Sequence, residues 1–479
     1  MLFNSLQFLY FFVVVTTLYY LIDYRFRWVL LLGASCYFYM AFIPIYILIL
    51  GFTIVIDYFA GIFIEGAQGR RRKTFLICSI IANVGVLAIF KYYNFLNGNL
   101  NFLLHGFALT SPLPYLRILL PIGLSFHTFQ AMSYTIEVYR GNYKAERHFG
   151  MYSLYVMFYP QLVAGPIERP QNLLPQLKAE HPFDYTNVTS GLRLIAWGLF
   201  KKVVIADRIA TVCDKVYANP HHYNGISMVI ATFFFAVEDY ADFSGYSDIA
   251  IGTARVMGIK LMLNFNYPIL SKSISEFWAR WHISLTSWFR DYLYKPMFRK
   301  HRGAVWQLYT VLVVFFLVGL WHGANWTFII WGLINGIYLI IANVTRKPWR
   351  AFLTKTGIGK HGVLSIIGTL SLLSYGLIFY RADSISIAFY MAGHVFTCIP
   401  DLLHFHHLQY MGMKNSELVF SFLLIAFLFT MEALDSKYSL FIKFLKQPAY
   451  LRWTFYYIAL FVIGVYGIFE HREFLYFQF

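Results

Sequence analysis

The chain has 479 residues, of which 59% are apolar, 20% aromatic and only 13% charged, and its mean hydropathy is +0.56. A water-soluble domain is about 45–50% apolar and about 25% charged, so soluble globular, disordered and fibrous classes are excluded. The formal net charge of +16 points, in so apolar a chain, to cytoplasmic loops and anionic headgroups before nucleic acid.

A crossing needs about 20 apolar residues. In chain order the apolar stretches are 5–22, 28–42, 45–64, 74–90, 116–138, 191–212, 226–241, 305–320, 325–344, 362–380, 385–399, 416–434 and 453–469. The first has no basic leader and no small-residue cleavage site, so it reads as a span and not as a removable signal. Several are short or interrupted by Pro, Gly or polar residues, so about ten to twelve transmembrane or re-entrant helices are expected. No Pro-, Gly- or Ser-rich linker and no internal repeat divides the chain. Residues 1–479 therefore read as one all-α polytopic membrane domain with no separate soluble domain. Cys36, Cys78, Cys213 and Cys398 have neither CxxC nor zinc spacing.

Lys and Arg clusters set the orientation. Arg70, Arg71, Arg72 and Lys73 place the loop after the third span in the cytoplasm, which puts the amino terminus outside. The clusters at 272–302, 346–360 and 437–452 also fall inside, so the carboxyl terminus is expected outside. With both neighbours so placed, 385–399 does not fit as a simple crossing.

Two polar stretches interrupt the spans, 141–190 and 240–302. In the second, Ile274, Phe277, Trp278, Trp281, His282, Leu285, Trp288, Phe289 and Tyr292 recur at helical spacing, with Glu276, Arg280, Ser287 and Asp291 on other faces. The pattern predicts one amphipathic helix over 273–294 on the cytoplasmic leaflet. The segment 239–248 reads as a loop rich in carboxylates and hydroxyls beside an apolar run. There Asp242 suits donor or sugar binding, a buried pair with Arg280 or Arg290, or helix capping.

Polar groups at membrane depth are costly and usually functional. His322 lies between two apolar runs, in Gly319-Leu-Trp-His-Gly-Ala-Asn-Trp326. It suits a neutral general base; the alternative is a buried histidine bonded to a carbonyl at a helix break. His282 also follows a tryptophan, and structural and chemical roles both stay open for it. His404, His406 and His407 form a short cluster, but no metal site is expected. No Walker lysine loop, HExxH or GxSxG occurs. An accepting hydroxyl in any acyl transfer would then belong to the substrate or to a partner.

Several blocks together resemble the membrane-bound O-acyltransferase family, in particular its bacterial branch that includes the alginate O-acetyltransferase membrane subunit. They are Pro121-Ile-Gly-Leu-Ser-Phe-His-Thr-Phe-Gln130, Gln161-Leu-Val-Ala-Gly-Pro-Ile-Glu-Arg169, Asp242-Phe-Ser-Gly-Tyr-Ser-Asp-Ile-Ala-Ile-Gly252 and Asn264-Phe-Asn-Tyr-Pro268. The tract from Ser273 through Trp281-His-Ile-Ser-Leu285 to Tyr294, the His322 block, Phe379-Tyr-Arg-Ala382 and Tyr476-Phe-Gln-Phe479 complete the set.

The resemblance implies a helical bundle around a central funnel or tunnel, with His322 catalytic and His282 at a second, helper position. Trp321, Asn325, Trp281, Asp242, Arg280, Arg290, Asp291 and Lys295 become candidates for the tunnel or substrate site. The basic groups Arg280, Arg290, Lys295, Arg299 and Lys300 would attract the phosphates of coenzyme A. The expected activity is transfer of acetyl from cytoplasmic acetyl-CoA, a substrate and not a tightly held cofactor, toward an extracytoplasmic polysaccharide of the alginate type. A secreted SGNH-type acetyltransferase is the expected partner, and the bacterial inner membrane the expected location. D-alanyl transfer, peptidoglycan or cellulose acylation, and a polytopic transporter or exporter are the alternatives.

Overall fold

The computed structural model describes residues 1–109, 111–116, 121–300, 303–346, 362–403, 409–469 and 474–475. The histidines at 404, 406 and 407 and the terminal block 476–479 lie outside these residues. The described residues are 80% helical and contain no strand. Among the described residues, seven helical stretches are long and apolar enough to cross a membrane: Pro44–Gly66, Gly69–His105, Ala304–His322, Trp326–Val344, Gly362–Arg381, Asn415–Tyr438 and Ala449–Tyr466. The apolar helix Leu6–Leu21 is shorter, at 16 residues.

The stretches at 191–212, 226–241 and 385–399 differ from simple spans. The first carries buried Lys201 and Lys202 inside a π-helical turn, Phe200–Ala206. The second is the opening of a 32-residue helix, Gly225–Val256. It runs straight through the segment expected to be a loop, where Tyr240, Asp242 and Ser244 find partners in Glu432, Lys202 and Lys201 and do not cap a helix end. The third opens as the helix Ile385–His394 and continues through a 3-10 turn, Val395–Thr397, into Cys398–Leu403; it is not among the stretches long and apolar enough to cross.

The chain folds as two compact units, residues 1–197 with 246–263, and residues 198–245 with 264–475. In the first unit, helices Ile47–Gly66, Gly69–Leu87 and Leu124–Arg140 pack together. Their polarity is inverted relative to a soluble bundle. Leu48, Phe52, Val55, Phe59 and Phe63 are exposed along one face of Ile47–Gly66, while Thr53 and Asp57 are buried on the other. Lipid accepts the apolar face, and the polar groups must pair inside. Asp57 accepts from Ser79 Oγ at 2.6 Å and from Asn83 Nδ2 at 2.8 Å. Gly61 has no side chain because the Tyr134 ring occupies that space. Two of the motif blocks meet around Tyr155, whose carbonyl accepts from both Gln130 and Gln161 and whose hydroxyl donates to the Glu168 carbonyl.

In the second unit, helices Ala304–His322 and Trp326–Val344 form a tight hairpin, with Gly362–Arg381 packed against the latter. Val203, Val204 and Ile463 make a buried apolar contact with Leu424 beside it. This unit carries both candidate histidines.

Candidate active site

His322 is the last residue of Ala304–His322. The chain then turns in three residues, and Asn325 caps the returning helix by accepting from the Thr327 N–H at 3.2 Å. The hairpin is tight because it crosses at glycines. A Cβ at Gly319 would strike the Phe328 carbonyl oxygen, and one at Gly332 the Phe315 carbonyl oxygen. A Cβ at Gly323 would enter the Phe328 ring. Close backbone approach of this kind substitutes for the hydrophobic drive that lipid does not supply. It holds His322 against the second helix, with its ring 5.0 Å from Trp331 and 4.9 Å from Trp321, both edge-on. The imidazole is 5% exposed, and its Nδ1 lies 3.2 Å from the Tyr380 hydroxyl.

His282 is placed by a break in the expected amphipathic helix. The segment 273–294 is two seven-residue helices, Ile274–Arg280 and Ile283–Phe289, followed by the π-helical Arg290–Tyr294. Between the first two, His282 adopts a left-handed conformation with φ of 42°, a strained region for a non-glycine residue that persists only where neighbours enforce it. They do so here. The Trp281 N–H closes the first helix on the Phe277 carbonyl at 2.8 Å, and the Ile283 N–H is taken by the Asn264 carbonyl at 2.8 Å. The Asn264 side-chain oxygen accepts from Ser284 Oγ at 2.6 Å and faces His282 Nδ1 at 3.3 Å. An acceptor there makes Nδ1 the protonated nitrogen of His282. Burial pushes the pKa of His282 down to about 3, so it stays neutral across the physiological range. Phe243 meets its ring edge-on at 4.6 Å, and the Trp321 ring stands 6.1 Å away. The two histidines thus share one indole, which is the strongest convergence among the sequence candidates.

The other candidates are placed elsewhere or occupied structurally. Trp281 packs on Phe265 and Phe277 at 5.0 and 5.2 Å. Asp242 pairs with Lys202 at 2.6 Å, in place of Arg280 or Arg290, and Lys202 also meets Asp207 at 2.9 Å. The other Asp242 oxygen accepts from the Leu475 N–H at 2.8 Å. Arg280 pairs with Glu276 at 2.6 Å. Arg290 and Lys295 share Asp291, at 3.1 and 2.7 Å. That exposed cluster is less cationic than its two basic residues suggest.

Sequence reasoning missed Asn264, Lys202 and the role of Tyr380. Lys201 and Lys202 within an apolar run were the available signal for the buried ion pair. Nothing local marks the Tyr380 hydroxyl, whose partner is remote in sequence.

A helical membrane protein with a buried histidine at a helix break and a second histidine across one tryptophan is the setting of the comparisons with known proteins. The model of the membrane-bound O-acyltransferase family matches residues 146–375, which include both histidines, and the chain belongs to this family. Its relatives include the probable alginate O-acetylase AlgI of Pseudomonas aeruginosa, 36% identical over 433 residues that cover 89% of this chain and 81% of the relative. The peptidoglycan O-acetyltransferase of Helicobacter pylori is 32% identical over 382 residues, covering 74% of this chain and 71% of its own. The teichoic acid D-alanyltransferase of Bacillus subtilis is 30% identical over 245 residues, covering 47% and 60%. The chain is a multi-pass membrane acyltransferase.

Proposed function

We propose that this acyltransferase moves acetyl groups from cytoplasmic acetyl-CoA to an extracytoplasmic polysaccharide of the alginate type, with His322 as general base. The observation that carries this reading is the placement of His322: buried, at a break between two membrane-spanning helices, with Nδ1 engaged by a neutral hydroxyl. In the proposed step the imidazole takes the proton from the accepting hydroxyl as its oxygen attacks the thioester carbonyl. The new C–O bond forms, the C–S bond breaks, and the departing thiolate of coenzyme A takes up the proton. A base of this kind supplies about 10²–10⁴-fold, and positioning supplies the remainder. His282, neutral and fixed by Asn264, orients the second side of the site through Trp321.

The charge pattern supports a bacterial inner-membrane orientation with Arg70 to Lys73 and the 272–302 segment inside and both termini outside. The acceptor is reached from the far face, through an SGNH-type acetyltransferase that completes transfer. No metal or tightly bound cofactor enters this scheme. A second reading, D-alanyl or peptidoglycan acyl transfer by the same chemistry, is favoured by the relatives that carry those names.

Sided proteoliposomes of the full chain test the proposal. Acetyl-CoA supplied to the face bearing Arg71, mapped by an impermeant reagent on a cysteine placed there, should release free coenzyme A. Release only from the opposite face would overturn the donor side. No release from either face, with release from an aminoacyl carrier thioester, would favour D-alanyl transfer.

A further inference from the structure

We propose that Tyr380 is a positioning residue that holds His322 in the tautomer protonated on Nδ1, leaving Nε2 as the basic nitrogen. The inference rests on His322 acting as a base. A neutral imidazole carries one proton, and a hydroxyl facing Nδ1 can either donate to that nitrogen or accept from it. The Tyr380 hydroxyl lies 3.2 Å from Nδ1. If the phenol donated to Nδ1, the ring proton would sit on Nε2, and Nε2 would have no basic lone pair. If Nδ1–H donates to the phenol oxygen, Nε2 is free of its proton and can accept one. The same hydrogen bond then persists when the ring becomes an imidazolium, so no rearrangement accompanies proton transfer. Carboxylates often perform this service for histidine in water-exposed sites, but an additional charge at membrane depth is expensive. A phenol orients the ring without it.

The placement of Tyr380 is over-determined, as a positioning group requires. Its side chain is 2% exposed. The ring packs edge-on against Phe328 at 4.9 Å, Trp331 at 5.0 Å and His322 itself at 5.4 Å. Phe235 closes another side at 6.2 Å. The next residue anchors this end of the helix: Arg381 is 14% exposed, reaches Asp214 at 2.8 Å, and lies over the rings of Tyr217 and Phe235. The Ala382 N–H finishes the helix on the Ile378 carbonyl at 3.1 Å. The hydroxyl is therefore delivered by a clamped helix end and not by a mobile side chain.

Tyr380→Phe removes one oxygen and keeps all the ring contacts. The control is Tyr375→Phe on the same helix, whose hydroxyl reaches only the Ala392 carbonyl at 3.4 Å. The first readout is independent of turnover. The full chain, labelled with ¹⁵N-histidine and held in proteoliposomes, is compared by solid-state NMR with His322→Gln to assign the His322 signals by difference. The proposal expects the Nδ1–H tautomer in the wild type and in Tyr375→Phe, and a tautomer mixture in Tyr380→Phe. An Nε2–H tautomer in the wild type, or no change in Tyr380→Phe, overturns it.

The second readout is the kinetic split. Loss of one orienting hydrogen bond should lower kcat for coenzyme A release about threefold to tenfold while KM for acetyl-CoA stays within about twofold. Unchanged kcat in Tyr380→Phe alongside an inactive His322→Ala sinks the positioning role and leaves the base intact. Full activity in His322→Ala sinks the base itself, whatever the tautomer.

Discussion

The Asp207–Lys202–Asp242 cluster gives the sharpest separation between a structural and a chemical role for Asp242. All three side chains are 6% exposed or less. Lys202→Met removes the cation and leaves two carboxylates facing each other in the interior. Breaking a buried pair in this way costs about 3–5 kcal/mol, because the remaining charge is uncompensated. Asp242→Asn is a smaller perturbation. Lys202 keeps Asp207 at 2.9 Å, while the single amide oxygen can accept from Lys202 or from the Leu475 N–H and not from both. A loss of about 1–3 kcal/mol follows, because one buried donor loses its acceptor while the Lys202 charge stays compensated by Asp207. The assay is thermal unfolding of detergent-purified protein, with fluorescence-detected size exclusion and coenzyme A release measured on the same samples. The expected order is wild type, then Asp242→Asn slightly below, then Lys202→Met far below with poor recovery. Asp242→Asn protein that melts like the wild type yet transfers no acyl group would refute this reasoning and return Asp242 to the chemistry.

Three further outcomes are expected. His282 is neutral when folded, with its pKa lowered by burial from 6.5 to about 3, so the unfolded chain binds the extra proton within that window. Stability should fall as pH drops below 6.5, and His282→Asn should flatten this slope in melts between pH 7.5 and 5; an unchanged slope would assign the acid sensitivity to other groups. Gly332→Ala should force the two hairpin helices apart at the Phe315 carbonyl and lower kcat at least about tenfold through a displaced His322, and wild-type turnover would contradict the tight crossing. Neutralising Arg290 and Lys295 together should raise KM for acetyl-CoA and weaken its salt dependence, whereas an unchanged KM at all ionic strengths would place the donor site away from this surface.

How far the sequence could be read depended on the range of the determining contact. The long apolar runs at 305–320, 325–344 and 362–380 translate directly into helices, because their length and composition are local properties. The two Trp-His pairs were also legible, as was the family they suggested. The break at His282 was not, since the 3.6-residue periodicity continues across it. Its cause is the Asn264 backbone carbonyl, which captures the Ile283 N–H from a different segment. Periodicity reports which face is apolar, not whether the axis is continuous. The segment 239–248 was misread as a loop for the complementary reason. Its polar composition resembles a turn until Lys201, Lys202 and Glu432 supply partners for Ser244, Asp242 and Tyr240. Tyr380 stood inside a recognised block, but only the fold brings its hydroxyl to a histidine 58 positions away.

The central claim is that His322 removes the proton from the accepting hydroxyl. It is tested most directly by comparing His322→Ala with the wild type in sided proteoliposomes, at equal protein incorporation and melting temperature, with labelled acetyl-CoA and a hydroxyl acceptor. The account predicts a loss of about 10²–10⁴-fold in acyl transfer with the protein still properly inserted. Retention of more than about a tenth of wild-type transfer would contradict it.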